Sequence, residues 1–186
     1  RFHAGRNRMK DETLGLYNTT DLRETAKRRL PKGLFEFMDR GNDDEIAMRD
    51  NRTALESIKL IPRVLVDVSK RNQEIMLFGK QQKMPVIIAP TGSVGLAWYE
   101  GEVALARAAA AYGIPYTMAA GSMTPMEKVA AEAGGTLWFQ FYMWPDRKLS
   151  YQMIARAREA GFEALVFTVD TAAAPGREYN LRNGFT

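Results

Sequence analysis

The chain has 186 residues, 46% of them hydrophobic, and its 26 Lys and Arg residues exceed its 22 Asp and Glu residues to give a formal net charge of +4. This composition is that of a globular protein, and the absence of cysteine excludes disulfides, thiolate catalysis and cysteine-ligated metals. No apolar run is long enough to predict a membrane-spanning helix, and no signal peptide is recognised at the start of the chain. A cytoplasmic location is therefore the expectation.

The first part of the chain predicts an extension rather than a sheet. Residues 1–17 are polar and basic without a period and predict a flexible arm, and residues 18–83 predict a helical and extended preface. Its expected elements are helices at 22–29 and 32–39, a third helix from an Asp43–Asp44 cap to about Leu55, and extended pieces at 59–62 and 74–78, the latter turning at Gly79.

One basic cluster lies in this preface, formed by Lys27, Arg28, Arg29 and Lys32. A solvated helix face is the favoured interpretation, and nucleic-acid binding is the alternative. No aromatic residues interleave with the basic ones, so no nucleic-acid partner is expected.

From Met84 the pattern becomes strand, helix, glycine, strand. Apolar strands are predicted at 85–90, 115–119, 137–141 and 164–169, and the helices between them at 100–112, from a capping box at 124–127 to Gly134, and from Asp146 to Ala160. No GxGxxG follows a strand, which disfavours a dinucleotide-binding fold. The repeat predicts an α/β fold, a (β/α)8 TIM barrel, with its first four strand–helix units in residues 84–186. The native protein is expected to be about twice this length, because half a barrel would leave two open sheet edges.

Polar residues follow the predicted strands, where a barrel places its active site. They provide a neutral amide (Gln140), a phenol (Tyr142), hydroxyls, one carboxylate (Asp170) and one guanidinium (Arg177). Such a set suits a planar ring rich in heteroatoms beside an anionic substrate that Arg177 binds through two hydrogen bonds. A purely structural role for these residues remains the alternative from the residues alone.

Six motifs occur in order along the chain: LPKGLFEF (30–37), IAPTG (88–92), EGEVALARAA (100–109), LWFQFY (137–142), TVDT (168–171) and RE-x3-RN-x-F (177–185). Together they resemble the FMN-dependent α-hydroxy acid oxidase and dehydrogenase family, which includes glycolate oxidase, lactate oxidase and mandelate dehydrogenase. The resemblance runs from about Leu16 to the last residue and covers only the N-terminal half of the family's domain.

The resemblance implies an FMN cofactor and oxidation of an L-2-hydroxy acid to a 2-keto acid. It implies that Gln140 and Thr168 hydrogen-bond the polar edge of the flavin, and that the ring lies against the backbone of Ala89, Pro90, Thr91 and Gly92. Tyr142 would sit near the α-oxygen of the substrate, and Arg177 would pair with its carboxylate. Asp170 would stabilise the imidazolium of the family's catalytic histidine.

Two positions depart from the family pattern. Phe37 stands where the family usually has a tyrosine that binds the substrate carboxylate, so carboxylate binding would depend more on Arg177. Gly121 stands where glycolate oxidase has a bulky tryptophan, which would open space over the flavin. Phe37 weakens the assignment of the substrate or indicates an unusual one. Gly121, with the PTG-x2-GLAW and LWFQFY segments, favours the mandelate dehydrogenase branch and an aromatic, mandelate-like acid.

The single histidine, His3, lies outside the matching segments and is not expected to be catalytic. The resemblance places the family's catalytic histidine and flavin-edge lysine after this chain, so the chain alone is expected to be inactive. It also implies a homo-oligomer such as a tetramer, and peripheral contact with the inner face of the membrane through the loop after the fourth strand.

Two alternatives remain at this stage. One is another FMN- or phosphate-binding barrel, such as an IMP dehydrogenase-like enzyme or a flavin-dependent isomerase, which share the strand–helix cadence. The other is a non-catalytic half-barrel that assembles with a partner chain.

Overall fold

The computed structural model of the chain describes residues 15–170 and 173–185, so most of the predicted arm, including His3, lies outside the described residues. The described residues form two compact units, one of residues 15–59 with 175–185 and the other of residues 60–170 with 173–174. This division differs from the predicted boundaries at 17 and 83, because it assigns residues 60–83 to the unit that contains the parallel sheet.

The described helices and strands follow one another along the chain with a change of character near residue 75. In chain order they are α1 (Thr19–Arg29), α2 (Lys32–Asp39), α3 (Ile46–Ser57), β1 (Ile75–Leu77), β2 (Lys80–Gln82), α4 (Val94–Ala97), α5 (Gly101–Tyr112), β3 (Tyr116–Ala119), α6 (Met126–Ala133), β4 (Leu137–Phe141), α7 (Arg147–Glu159), β5 (Ala164–Phe167) and α8 (Glu178–Arg182).

Helix α1 begins three residues before the predicted start. The Asn18 side chain caps it by accepting from the backbone N–H of Asp21 at 2.9 Å. Asp21 lies in its first turn, and basic residues fill its last turn, as the helix dipole favours. The predicted basic cluster is exposed on this helix and at the start of α2.

The predicted cap of α3 is wrong. Glu45, with a φ of 58°, occupies the N-cap position, and no side chain caps the helix. The acidic loop before α3, residues 41–45, makes other hydrogen bonds. The Glu45 carboxylate accepts from the backbone N–H of Gly41 at 3.1 Å, and the Asp43 N–H donates to the Gly176 carbonyl at 3.1 Å. The loop is therefore shaped by its contacts rather than by a local capping signal.

The second unit contains a parallel sheet in the order β3–β4–β5, with Ala119 beside Gln140 and Gln140 beside Val166. One face of β4 packs on the helices: Leu137, Phe139 and Phe141 belong to a buried cluster with residues of α5, α6 and α7. Each such buried side chain contributes about 1.5–3 kcal/mol. This is the expected burial of a strand between helical layers.

The strand predicted at 85–90 is reduced to a single parallel bridge between Ile88 and Tyr116. The Ile88 N–H donates to the Pro115 carbonyl and its carbonyl accepts from Thr117 N–H, both at 3.0 Å. Pro85 and Pro90 lack the N–H groups that would extend the ladder. The segment still lies beside β3, where the predicted strand order places it.

A hairpin formed by β1 and β2 turns through Phe78 and Gly79, which have φ values of 46° and 77°, and this confirms the predicted turn. The Phe78 ring packs edge-on against Trp138 of β4 with centroids 5.3 Å apart. In the part of the chain that the structure describes, no helix has the length and apolar character needed to cross a membrane.

Candidate functional site

Two loops after the sheet form an exposed surface made largely of backbone. Residues 89–92, which follow the Ile88 bridge, are exposed, and so is Gly121 after β3. The loops are joined by a hydrogen bond of 3.0 Å from the Ser93 N–H to the Gly121 carbonyl. A Cβ placed on Gly121 would approach only the Gly92 Cα, at 4.0 Å, so the described protein leaves open space there.

Gln140 joins three strand ends beneath this surface. Its side chain is 3% exposed; its amide oxygen accepts from the Ala120 N–H at 3.2 Å and its amide nitrogen donates to Thr168 Oγ1 at 2.8 Å. Because the Thr168 hydroxyl accepts this bond, its own proton remains able to donate to another group. The predicted cofactor residues Gln140 and Thr168 are thus in direct contact.

Tyr142 and Asp170 follow the ends of β4 and β5. Tyr142 is 45% exposed directly after β4, and Asp170 is exposed three residues beyond β5. The Thr168 N–H donates to the Phe141 carbonyl at 3.0 Å, so strand pairing continues one residue past β5. This pairing fixes the backbone from which Asp170 extends.

Arg177 and Phe37 contact each other in the other unit. Arg177 NH1 donates to the Phe37 carbonyl at 3.1 Å, and its guanidinium carbon lies 4.7 Å from the centroid of the Phe37 ring. That carbonyl is among the last four of α2, which have no partner within the helix. One N–H of the guanidinium is therefore used to cap α2, while a guanidinium has five in all. Phe37, which the resemblance predicts to weaken carboxylate binding, also contacts the arginine through its carbonyl and its ring.

Residues 175–185 are held to α2 and its following loop by further contacts. The Arg40 guanidinium lies over the Tyr179 ring at 4.4 Å, and the Phe37 and Phe185 rings are 5.2 Å apart. A Cβ on Gly176 would lie 2.3 Å from an Asp43 carboxylate oxygen, so any larger residue would require the Asp43 side chain to move. These contacts join Arg177 to the N-terminal helices, which the sequence did not indicate.

Glu102 in α5 is a buried carboxylate to which the sequence analysis assigned no role. It is 0% exposed and accepts from the Met123 N–H at 3.0 Å and the Thr124 hydroxyl at 2.7 Å. Thr124 therefore does not cap α6, and the predicted capping box is wrong. Burial alone would raise the pKa of Glu102, but these bonds, with those from the backbone N–H groups of Glu102 and Gly95, outweigh it and hold the pKa below its ordinary value. The only sequence signal was an acid inside an alanine-rich segment.

Comparison with known proteins gives a family for this site. A family model described as FMN-dependent dehydrogenase matches residues 26–186. The chain belongs to the FMN-dependent dehydrogenase family. This confirms the predicted resemblance and argues against the IMP dehydrogenase-like and isomerase alternatives.

Relatives within the FMN-dependent dehydrogenase family include enzymes named for different acids. The chain is 38% identical over 170 residues to (S)-mandelate dehydrogenase of Pseudomonas putida, covering 91% of this chain and 43% of that protein. It is 41% identical over 169 residues to an L-lactate dehydrogenase of Caulobacter sp. (strain K31), covering 91% and 44%. The chain thus spans less than half the length of these relatives.

Among solved structures, a soluble mutant of the membrane-associated (S)-mandelate dehydrogenase from Pseudomonas putida matches with a TM-score of 0.87 and 38% identity. The match covers 92% of this chain and 49% of that one. The fold described above is therefore the one found in this family.

The residues present fit the family's cofactor. The exposed surface at 89–92 and 121 carries no side chain larger than those of Pro90 and Thr91, so it can accept a flat ring. The Gln140–Thr168 pair supplies a hydroxyl donor at its edge. Both features match the chemistry of a flavin, which has an extended apolar face and a rim of heteroatoms.

Proposed function

We propose that this chain is the N-terminal half of an FMN-dependent enzyme that oxidises an L-2-hydroxy acid to the 2-keto acid. In this proposal the Ile88 segment and β3, β4 and β5 are the first four strands of a (β/α)8 barrel. The observation that carries the proposal is the Gln140 side chain, which joins the ends of β3 and β5 under an exposed glycine-lined surface. The family match supports it independently.

The cofactor site consists of Ala89, Pro90, Thr91, Gly92, Gln140 and Thr168. The backbone of residues 89–92 supports one face of the ring, and the Thr168 hydroxyl, oriented by Gln140, donates to its polar edge. The bound FMN supplies the acceptor for the two electrons of the oxidation. The protein binds and orients the reactants.

The substrate residues in this proposal are Tyr142 and Arg177. The Tyr142 phenol, exposed after β4, hydrogen-bonds the substrate hydroxyl. Arg177 binds the carboxylate with the guanidinium N–H groups that Phe37 leaves available. Asp170 orients a histidine supplied by the remainder of the protein, which serves as the general base.

The substrate class we propose is an aromatic, mandelate-like acid. The open space at Gly121 favours a substrate with a large apolar group. The relatives include enzymes named for mandelate and for lactate, so the proposed class depends on Gly121.

Localisation and assembly follow the same proposal. We propose a cytoplasmic homo-oligomer with peripheral membrane contact through the loop after β5, which contains residues 171–172 outside the described residues. The membrane association named for the matching mandelate dehydrogenase supports this contact.

The test uses the full-length protein reconstituted with FMN. Mixing it anaerobically with (S)-mandelate or L-lactate should bleach the flavin absorbance. Arg177→Met should retain FMN but lower kcat/KM by roughly tenfold to hundredfold, because one charge-assisted interaction with the carboxylate is lost. Arg182→Met, at an exposed arginine paired with Glu178, is the matched control and should leave kcat/KM unchanged. A full-length protein with no flavin spectrum after reconstitution would contradict the proposal.

A further inference from the structure

Glu102 is a buried charge that the proposed chemistry does not use. It is the second residue of α5, where the helix dipole favours a negative charge. Its carboxylate makes no ion pair with a described lysine or arginine, and its acceptors are filled by N–H and O–H donors. A buried carboxylate held only by such donors is costly unless each bond is well placed.

The donors to Glu102 come from two separate segments. Met123 and Thr124 belong to the loop after β3, two and three residues beyond Gly121. Gly95 belongs to α4, three residues beyond Gly92, and its backbone N–H helps to lower the pKa of Glu102. Glu102 thus holds the loop after β3 by hydrogen bonds and interacts favourably with α4, so it acts on both segments that leave the proposed cofactor surface.

The same two segments contact each other directly. The Ser93 N–H donates to the Gly121 carbonyl, and a Cβ on Gly95 would lie 3.1 Å from the Met123 Cβ. The close approach at Gly95 leaves little room for the segments to shift toward each other. The Glu102 hydrogen bonds hold the loop after β3 to the start of α5, so movement of the two segments away from each other is limited as well.

We propose that Glu102 is a positioning residue for the FMN site, fixing the backbone around Gly92 and the backbone around Gly121 at the spacing that the cofactor requires. This rests on the proposed placement of FMN on that surface. Glu102 acts through Gly95, Met123 and Thr124 and does not itself touch the cofactor.

The test measures FMN affinity and apoprotein stability separately in the full-length protein. Glu102→Gln keeps the side-chain volume but leaves one acceptor oxygen for the backbone donors. We expect its FMN Kd, measured by quenching of flavin fluorescence, to rise by roughly tenfold to hundredfold. Glu132→Gln, at a more exposed carboxylate paired with Arg107, is the control and should keep the wild-type Kd.

A second variant tests the inference in case Glu102→Gln fails to fold. Thr124→Val removes one hydrogen bond to Glu102 at nearly constant volume and should raise the FMN Kd by roughly fivefold, with an apoprotein Tm close to that of the wild type. If either folded variant loses apoprotein Tm but binds FMN with the wild-type Kd, Glu102 serves stability alone and the inference is overturned. A wild-type protein that does not bind FMN would overturn the proposed function and this inference with it.

Discussion

Phe37, at a position where the family usually has a tyrosine, contacts Arg177. In the proposed function the missing hydroxyl of Phe37 removes a ligand for the substrate carboxylate, while its ring and carbonyl both contact Arg177, at 4.7 Å and 3.1 Å. A cation over an aromatic face gains about 0.5–2 kcal/mol, depending on its desolvation. These contacts hold the Arg177 guanidinium against α2, and in the proposed function we expect them to reduce the entropy lost when Arg177 binds a carboxylate.

Gly121 carries a prediction about substrate size. In the full-length protein, Gly121→Trp should fill the open space above Gly92 and lower kcat/KM for (S)-mandelate by at least about tenfold more than for L-lactate. Steady-state kinetics with both acids measure the ratio. Gly135→Ala, at a glycine packed against Ala110 just before the start of β4 and so at the opposite end of the strand from Gln140, serves as the control for general damage. Equal losses for the two acids would remove Gly121 from the choice of substrate.

At the scale of elements, the sequence correctly predicted a helix end where a glycine follows the helix, and a helix start where the capping side chain has no other hydrogen-bond partner. Gly113 closes α5 with a φ of 64°, and Asp146 caps α7 by accepting from the N–H groups of Lys148 and Leu149. Where a side chain has another partner, the local signal fails. Thr124 has the sequence of a cap but donates to Glu102 instead.

The α7 cap gives a prediction about stability. Asp146→Ala should destabilise the protein by about 1 kcal/mol, because two helix N–H groups lose their acceptor. The urea unfolding midpoint of the full-length protein measures the change. Glu159→Ala, an exposed acid at the other end of α7, should leave the midpoint unchanged or raise it slightly, since an acid is unfavourable there. A midpoint that is the same for Asp146→Ala and the wild type would argue against the cap.

The sequence predicted β4 to the residue, since the three apolar residues Leu137, Trp138 and Phe139 lead directly to Gln140 and Phe141. It did not predict the loss of the first strand, because the effect of Pro85 and Pro90 depends on which edge of the strand is paired. The contact between Phe37 and Arg177 joins residues 140 positions apart, and no local pattern encodes it. Glu102 was missed for the same reason, since its partners lie more than 20 residues away.

At the scale of the whole molecule, several carboxyl groups have hydrogen-bond donors that favour the ionised form and so lower their pKa values. The Arg23 hydrogen bond lowers the pKa of Asp39, the Lys128 hydrogen bond lowers that of Glu100, and the Arg156 hydrogen bond lowers that of Glu127. Glu102 has a lowered pKa despite its burial, while burial and the Glu102 charge raise the pKa of Tyr116 and keep that phenol neutral. The four carboxyl groups share one sign of coupling, since each contributes stability that is lost as pH falls. Tyr116 has the opposite sign, because a raised pKa gives a contribution that is lost only as pH rises above its ordinary value of 10.

This coupling predicts acid sensitivity. A carboxyl whose pKa is lower in the folded state contributes stability that is present above its unfolded pKa, near 4.5 for glutamate, and is lost as pH falls through the folded value. The free energy of unfolding should therefore be flat from pH 7 to about 5.5 and decrease below about 4.5. Urea unfolding at several pH values measures it, and the decrease should be smaller in Glu102→Gln. Stability that rises on acidification would contradict the assignment.

The unit formed by residues 15–59 and 175–185 is interrupted by the whole of the parallel sheet. During synthesis α2 emerges long before Arg177, Tyr179 and Phe185, so its aromatic face has no partner while more than a hundred further residues are made. Closing so long a loop carries an entropic cost that grows only slowly with its length, but the delay is set by translation. Helix α8 therefore completes a unit whose first helices were made more than a hundred residues earlier.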